Sequence, residues 1–168
     1  PAYNEEDGIG AIVERVLAIR PALAEMATGL EVLVVDDGSV DGTAAIVSRY
    51  TGVRLMQHTT NRGYGGALKT GFAAACGDWL AFLDADGTYP PEHLPALCAA
   101  LEEGKGADLV VGSRRSGAAS EMPLVRRVGN WLWSGLVSAL GGERVLDPAS
   151  GMRVFRREAL ERLYPLPD

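Results

Sequence analysis

Glu31-Val32-Leu33-Val34-Val35-Asp36-Asp37-Gly38-Ser39 decides the architecture of this chain. The run Val32 to Val35 is β-branched and apolar without alternation, as in a strand covered on both faces. It stops at two carboxylates, and Gly38-Ser39 turns the chain toward a helix near Thr43 to Tyr50. On the N-terminal side, Ile9, Ile12, Val13, Val16 and Leu17 recur at helical spacing, with Asn4 or Asp7 as cap. Pro21 ends that helix or opens a second piece. On the C-terminal side, Val53 to Gln57 reads as a strand. A glycine-rich turn, Asn61-Arg62-Gly63-Tyr64-Gly65-Gly66-Ala67, opens a helix through about Ala75. Trp79 to Leu83 is a second buried strand, stopped by Asp84-Ala85-Asp86-Gly87. Pro91 to Glu103 suits a helix and Asp108 to Gly112 a strand. This alternation specifies an α/β fold with a mostly parallel sheet flanked by helices. Ligands of such sheets bind at the carboxyl ends of strands, where this chain carries its acidic pairs.

The length of 168 residues suffices for one domain with its own core, and 47% hydrophobic with 23% charged residues is an ordinary globular composition. A net charge of -6 argues against a general nucleic-acid binder. Cys76 and Cys98 form no CxxC or Cys/His cluster, so both read as small core residues in a reducing, cytoplasmic setting. No signal peptide is visible, and no apolar run approaches the roughly 20 residues that span a bilayer. The ends, Pro1-Ala2-Tyr3-Asn4 and Tyr164-Pro165-Leu166-Pro167-Asp168, read as those of a fragment.

Asp84 and Asp86, two residues apart at a strand end, can converge on one divalent cation. Mg²⁺ and Mn²⁺ favour oxygen ligands and often take one or two carboxylates plus ligand phosphates. The competing reading is a solvated turn that caps the next helix. Asp36-Asp37 has the same two readings: one carboxylate capping, the other accepting hydrogen bonds from a nucleobase. The glycines at 63, 65 and 66 fail the dinucleotide test, because Leu68 stands where the third glycine belongs. The Walker Gly-Lys-Ser/Thr ending is also absent, although Lys69 on the following helix can reach an anion. His58 and His93 have no partner spacing and read as surface or capping residues.

Taken in order, the motifs resemble a known family. Pro1-Ala2-Tyr3-Asn4-Glu5-Glu6 and Val34-Val35-Asp36-Asp37-Gly38-Ser39-Val40-Asp41-Gly42-Thr43 look like the opening of a family-2 glycosyltransferase of GT-A fold. Asn61-x-Gly63-x-Gly65-x-Ala67, Asp84-Ala85-Asp86 with Pro90-Pro91-Glu92, Gly112-Ser113-Arg114 and Asp147-Pro148-x-Ser150-Gly151-x-Arg153 continue the series. The set resembles the branch of dolichyl-phosphate mannosyltransferases and bacterial polyprenyl-phosphate glycosyltransferases. The resemblance implies a donor half, 1–112, an acceptor half, 113–168, and a fold missing its first strand and C-terminal part. Pro1, Tyr3, Glu5, Val35 and Asp37 would line the nucleoside pocket, with Asp84 and Ala85 beside the nucleotide. Asp86 would be a metal ligand, and Thr88 stands where the mannosyltransferases place a metal-holding glutamine. Arg114 and Arg126 match basic residues near the acceptor phosphate, and Ser150 and Arg153 belong to the acceptor motif. The cofactor implied is Mg²⁺ or Mn²⁺, and the partners are a GDP- or UDP-sugar and a polyprenyl phosphate.

A lipid phosphate is already anionic, so inverting displacement onto it needs no general base; Asp147 is the candidate base for a hydroxyl acceptor. Arg126 and Arg127 before Trp131, Leu132, Trp133, Leu136, Val137 and Leu140 suit a helix at the cytoplasmic face of a membrane, or equally a core helix. Three other readings stand beside this one. A transferase acting on a soluble or polymeric sugar would often carry Gln-x-x-Arg-Trp, which is absent. A sugar-nucleotide pyrophosphorylase would open on a Gly-rich segment ending in Arg and Lys. A non-catalytic nucleotide-binding module would not need Asp37, Asp84, Asp86 and Arg153 together.

Overall fold

Helices α1 (Ile9–Ala18) and α2 (Arg20–Glu25) lead into strand β1 (Val32–Asp36). There follow α3 (Thr43–Val47), β2 (Val53–Gln57), α4 (Gly63–Ala74) and β3 (Trp79–Phe82). A 3-10 turn, Pro91–His93, opens α5 (Leu94–Glu103), which precedes β4 (Leu109–Val111), β5 (Arg153–Arg156) and α6 (Arg157–Glu161). The computed structural model describes residues 1–87, 89–104, 106–112 and 151–163.

β1 and β2 pair in parallel, with Val32 opposite Val53 and Asp36 opposite Gln57. On the other edge of β1, Ala2 forms a parallel bridge with Asp36. Its N–H donates to the Val35 carbonyl at 2.8 Å, and its own carbonyl accepts from Asp37 N–H at 2.8 Å. This pairing brings the first residues of the chain to the carboxyl end of β1. β3 and β4 run in the same direction, as the alternation of helices and strands requires, but they do not touch. β5 lies between them and is antiparallel to both. That strand is absent from the sequence reading. Val154 is its one fully buried residue, at 1% exposure, and arginines stand at both ends of the strand, so the alternation is too short to register.

The stripe predicted on the first helix packs inward: Ile9 and Val13 join Val34, Val47 and Ala85 in one cluster. A second cluster gathers Leu23, Leu94, Leu101, Met152 and Val154 with the ring of Tyr89. Pro21 sits in the first turn of α2, where its missing N–H costs nothing.

Four local expectations are corrected. Neither Asn4 nor Asp7 caps α1, whose N-cap position is Gly8 with no side-chain bond. Asn4 has φ 53 and its side-chain oxygen accepts from Val40 N–H at 3.0 Å instead. Neither Asp36 nor Asp37 caps α3: Asp41 accepts from Thr43 N–H at 3.0 Å and from its hydroxyl at 2.6 Å. Cys98 is buried as expected, whereas Cys76 is exposed just beyond α4. His58, read as a surface or capping residue, is only 8% exposed and bonds an aspartate of the candidate site.

Candidate functional site

An open cleft of about 420 Å³ lies where β1, the N-terminus of α4 and the loop after β3 converge. Seven of the expected residues line it: Pro1, Tyr3, Glu5, Asp37, Asp84, Ala85 and Asp86. Asn61, Gly63 and Tyr64 from the glycine turn complete the wall. Val35 stands behind it, 3% exposed, against α4 at Gly71. A separate cavity of about 260 Å³ between β1 and β3 is lined mainly by Val, Leu, Ile and Phe side chains. It presents no convergent acid or base pair, so the chemistry belongs to the cleft that carries the carboxylates.

The loops that form the rim hold one another. Asn4 N–H donates to Ser39 Oγ at 2.9 Å, Glu5 N–H to Thr43 Oγ1 at 2.8 Å and Glu6 N–H to Asp41 Oδ2 at 3.1 Å. Glu6 Oε2 in turn accepts from Gly42 N–H at 2.7 Å. Three consecutive backbone donors of the 4–6 turn are thus satisfied by the loop after β1, which fixes Tyr3 and Glu5 beside Asp37. Gly38 has φ +78, and an added Cβ would sit 2.8 Å from the Asn61 nitrogen. The turn after Asp37 therefore presses directly against the glycine-rich turn, and only glycine fits there.

At one end of the cleft, Asp37 is 3% exposed. His58 Nδ1 lies 2.6 Å from its Oδ1, and Arg62 N–H donates to the same oxygen at 2.9 Å. Burial alone raises the Asp37 carboxyl, but the His58 hydrogen bond and the Arg62 N–H outweigh it and hold the group below its ordinary value. At the other end, Asp84 Oδ1 accepts from the Tyr64 hydroxyl at 2.8 Å. Burial and then the Asp84 carboxylate push the Tyr64 phenol well above its ordinary value, so it stays a donor. Arg153 at the start of β5 is close enough to Tyr64 to oppose that shift through its charge.

Sequence reasoning missed His58 and Tyr64. The register of β1 and β2 carries the signal for His58, because pairing Asp36 with Gln57 sets the next residues, Asp37 and His58, side by side. Tyr64 is an aromatic residue inside a glycine turn that opens at the carboxyl edge of the sheet. Thr88, Arg114, Arg126, Asp147, Ser150 and the 128–140 stretch lie outside the described residues.

The carboxylate oxygens of Asp84 and Asp86 at an open cleft suit a hard divalent cation, and neither thiolate nor imidazole lines the space. Among the described residues, no group of three or more His, Cys, Asp or Glu is placed to hold a metal ion by itself. No helix among the described residues is long and apolar enough to cross a membrane.

This chain is similar to the polyprenol monophosphomannose synthase of Mycolicibacterium smegmatis, 34% identical over 97% of this chain and 62% of that protein. It is also similar to the dolichyl-phosphate hexose transferase of Haloferax volcanii, 35% identical over 94% of this chain and 64% of the relative. The chain thus spans less than two thirds of the length of these two relatives. Among solved structures, glucosyl-3-phosphoglycerate synthase of Mycobacterium tuberculosis, in complex with Mn²⁺, uridine diphosphate and phosphoglyceric acid, superposes with a TM-score of 0.72. That match is 30% identical and covers 95% of this chain and 55% of the other. The family model described as glycosyl transferase family 2 matches residues 1–164. With the strand-end carboxylates, the glycine turn and the GT-A neighbours in agreement, the chain belongs to glycosyl transferase family 2.

Proposed function

We propose that the cleft binds a nucleoside-diphosphate sugar and that the enzyme transfers the sugar to a polyprenyl phosphate. The observation that carries this reading is the joining, in one cleft, of a buried carboxylate at Asp37 and an acidic pair at Asp84 and Asp86. Tyr3 and Glu5 border the nucleoside, and Asp86 faces the diphosphate. Asp86, together with ligand phosphates, would hold Mg²⁺ or Mn²⁺, which would supply positive charge against that developing on the diphosphate. Manganese in the solved neighbour supports a divalent ion in this role.

The chain's own residues bind and orient. Asp37 reads the base, and the clasped 4–6 and 39–43 loops hold the nucleoside wall rigid. Tyr64 keeps Asp84 turned toward the cleft through its 2.8 Å hydrogen bond. A phosphate oxygen of the acceptor forms the new bond to the anomeric carbon on the face opposite the departing nucleoside diphosphate. That oxygen is already anionic, so the displacement inverts the centre without a general base. Residues 1–112 are the donor half and 113–168 the acceptor half, where Arg114, Arg126, Ser150 and Arg153 meet the phosphate; Asp147 is held for a hydroxyl acceptor. The names of the polyprenol and dolichyl relatives support the lipid, as does a third, a dodecaprenyl-phosphate galacturonate synthase of Rhizobium johnstonii, 27% identical. Such an enzyme works at the cytoplasmic face of a membrane, and flotation with anionic liposomes reads out that association.

The phosphoglyceric acid in the solved neighbour favours a second reading, a soluble phosphate-bearing acceptor. The test is sugar transfer by the wild type and by Asp86→Ala, with Mg²⁺ or Mn²⁺ and then with chelator. Loss of at least about tenfold in turnover on chelation and in the folded variant supports the assignment. Near-normal turnover by folded Asp86→Ala sinks it.

A further inference from the structure

The two oxygens of Asp37 are used unequally. Oδ1 accepts from His58 Nδ1 at 2.6 Å and from Arg62 N–H at 2.9 Å. A carboxylate oxygen has two lone pairs, so Oδ1 is full. Among the described residues no hydrogen bond reaches Oδ2, although the side chain is only 5% exposed and borders the cleft. Gly63 N–H, which also favours the Asp37 charge, spends its own bond on Asn61 Oδ1 at 2.9 Å.

His58 cannot swing away. Its Nε2 is 2.9 Å from Thr70 Oγ1, and that hydroxyl also reaches the Gly66 carbonyl at 3.0 Å on α4. Because an ionised carboxylate only accepts, the hydrogen must sit on Nδ1. Nε2 either accepts from the Thr70 hydroxyl or donates to it, and Nδ1–H points at Asp37 in both states.

We propose that His58 is a specificity-determining positioning residue that leaves Asp37 a single open carboxylate oxygen for the base and so selects uracil over guanine. The inference rests on the reading of this cleft as a nucleoside site. Uracil offers one imide N–H, between two carbonyls, and one free oxygen satisfies it. Guanine offers a fork, N1–H and the exocyclic amine, which pairs fully only with both oxygens of a carboxylate. With Oδ1 occupied, both donors must bend onto Oδ2 in a three-centred arrangement, and the weaker geometry corresponds to about tenfold in affinity. Cytosine has an acceptor at N3 and only its exocyclic amine to offer Oδ2, so it too binds more weakly than uracil.

The experiment is calorimetric titration of the purified protein with UDP, GDP and CDP in the presence of Mn²⁺. UDP is expected to bind tightest, with GDP and CDP each about tenfold weaker. His58→Phe keeps the ring and removes the donor, and is expected to bring UDP and GDP within about threefold of each other. His58→Gln retains an N–H donor and is expected to keep the wild-type ratio. A merely structural role for His58 would weaken both nucleotides alike and leave the ratio unmoved, which would overturn the proposal. So would GDP binding as tightly as UDP in the wild type. If no nucleotide binds, both this inference and the donor-site reading fail, whereas binding with guanine preferred removes this inference alone. Should His58→Phe not fold, the wild-type ranking and the His58→Gln ratio decide.

Discussion

Gly151→Ala places a methyl group where the structure has no room. The added Cβ would stand 2.7 Å from Tyr89 Cε2 and 3.0 Å from Cζ, against an ordinary contact of 3.4 Å or more. Tyr89 cannot yield easily. It is 7% exposed within the cluster of Leu94, Leu101, Met152 and Val154, and its hydroxyl accepts the Gly151 N–H at 2.7 Å. Relief requires moving either the ring or the backbone that leads into β5, so the overpacking costs about 1–3 kcal/mol. For a chain of this size that corresponds to a fall in Tm of roughly 2–12 °C. The assay is thermal unfolding followed by circular dichroism. Tyr89→Leu in the same background shortens the obstacle, so Gly151→Ala should cost less there, with a coupling of about 0.5 kcal/mol or more. A Tm within about 1 °C of wild type for the single variant would refute the packing argument.

Gly38→Ala combines φ +78 with a 2.8 Å approach to the 60–61 backbone, so it should destabilise more than Gly151→Ala, and denaturant titration can rank the two. Thr43→Val conserves volume at a residue that is 0% exposed but removes the acceptor of Glu5 N–H and the donor to Asp41. It should cost about 1–3 kcal/mol in chemical denaturation, and an unchanged midpoint would dismiss the clasp between the two rim loops. The Asp37 carboxyl titrates below its ordinary value in the folded chain, so its contribution to stability is present above the unfolded value of about 3.9 and disappears as the pH falls through the folded value. Thermal scans between about pH 5 and 2 should therefore show a smaller acid loss for Asp37→Asn than for wild type, and equal slopes would contradict the assignment.

The parallel part of the fold was legible because burial on both faces writes itself as unbroken apolar runs. Val32 to Val35 carries that mark and ends in the carboxylate that reaches the cleft, whereas Trp79 to Leu83, read the same way, has Ala81 exposed and pairs antiparallel with β5. β5 was not legible, since a four-residue strand with arginines at both ends gains its identity from the neighbours it bridges. Single-residue roles divide the same way. Asp84 and Asp86 declare themselves by spacing, whereas His58 acquires its partner only through the register of β1 on β2. Asp41, and neither Asp36 nor Asp37, holds the first N–H of α3, because it stands two residues before Thr43, the span that an aspartate side chain bridges to the backbone. Val35 belongs to the same buried run as Asp37, and pairing with Ala2 together with α4 packing turns it into wall support, away from the cleft lining.

Sugar transfer itself tests the central claim most directly. The purified protein is incubated with radiolabelled UDP- and GDP-sugars, Mn²⁺ or Mg²⁺, and vesicles carrying undecaprenyl phosphate, and label is followed into the organic phase. The account predicts an organic-soluble, metal-dependent product of one sugar linked to one lipid phosphate. Label that stays wholly in the aqueous phase with every donor, while the nucleotide sugars are bound or consumed, would contradict the lipid acceptor.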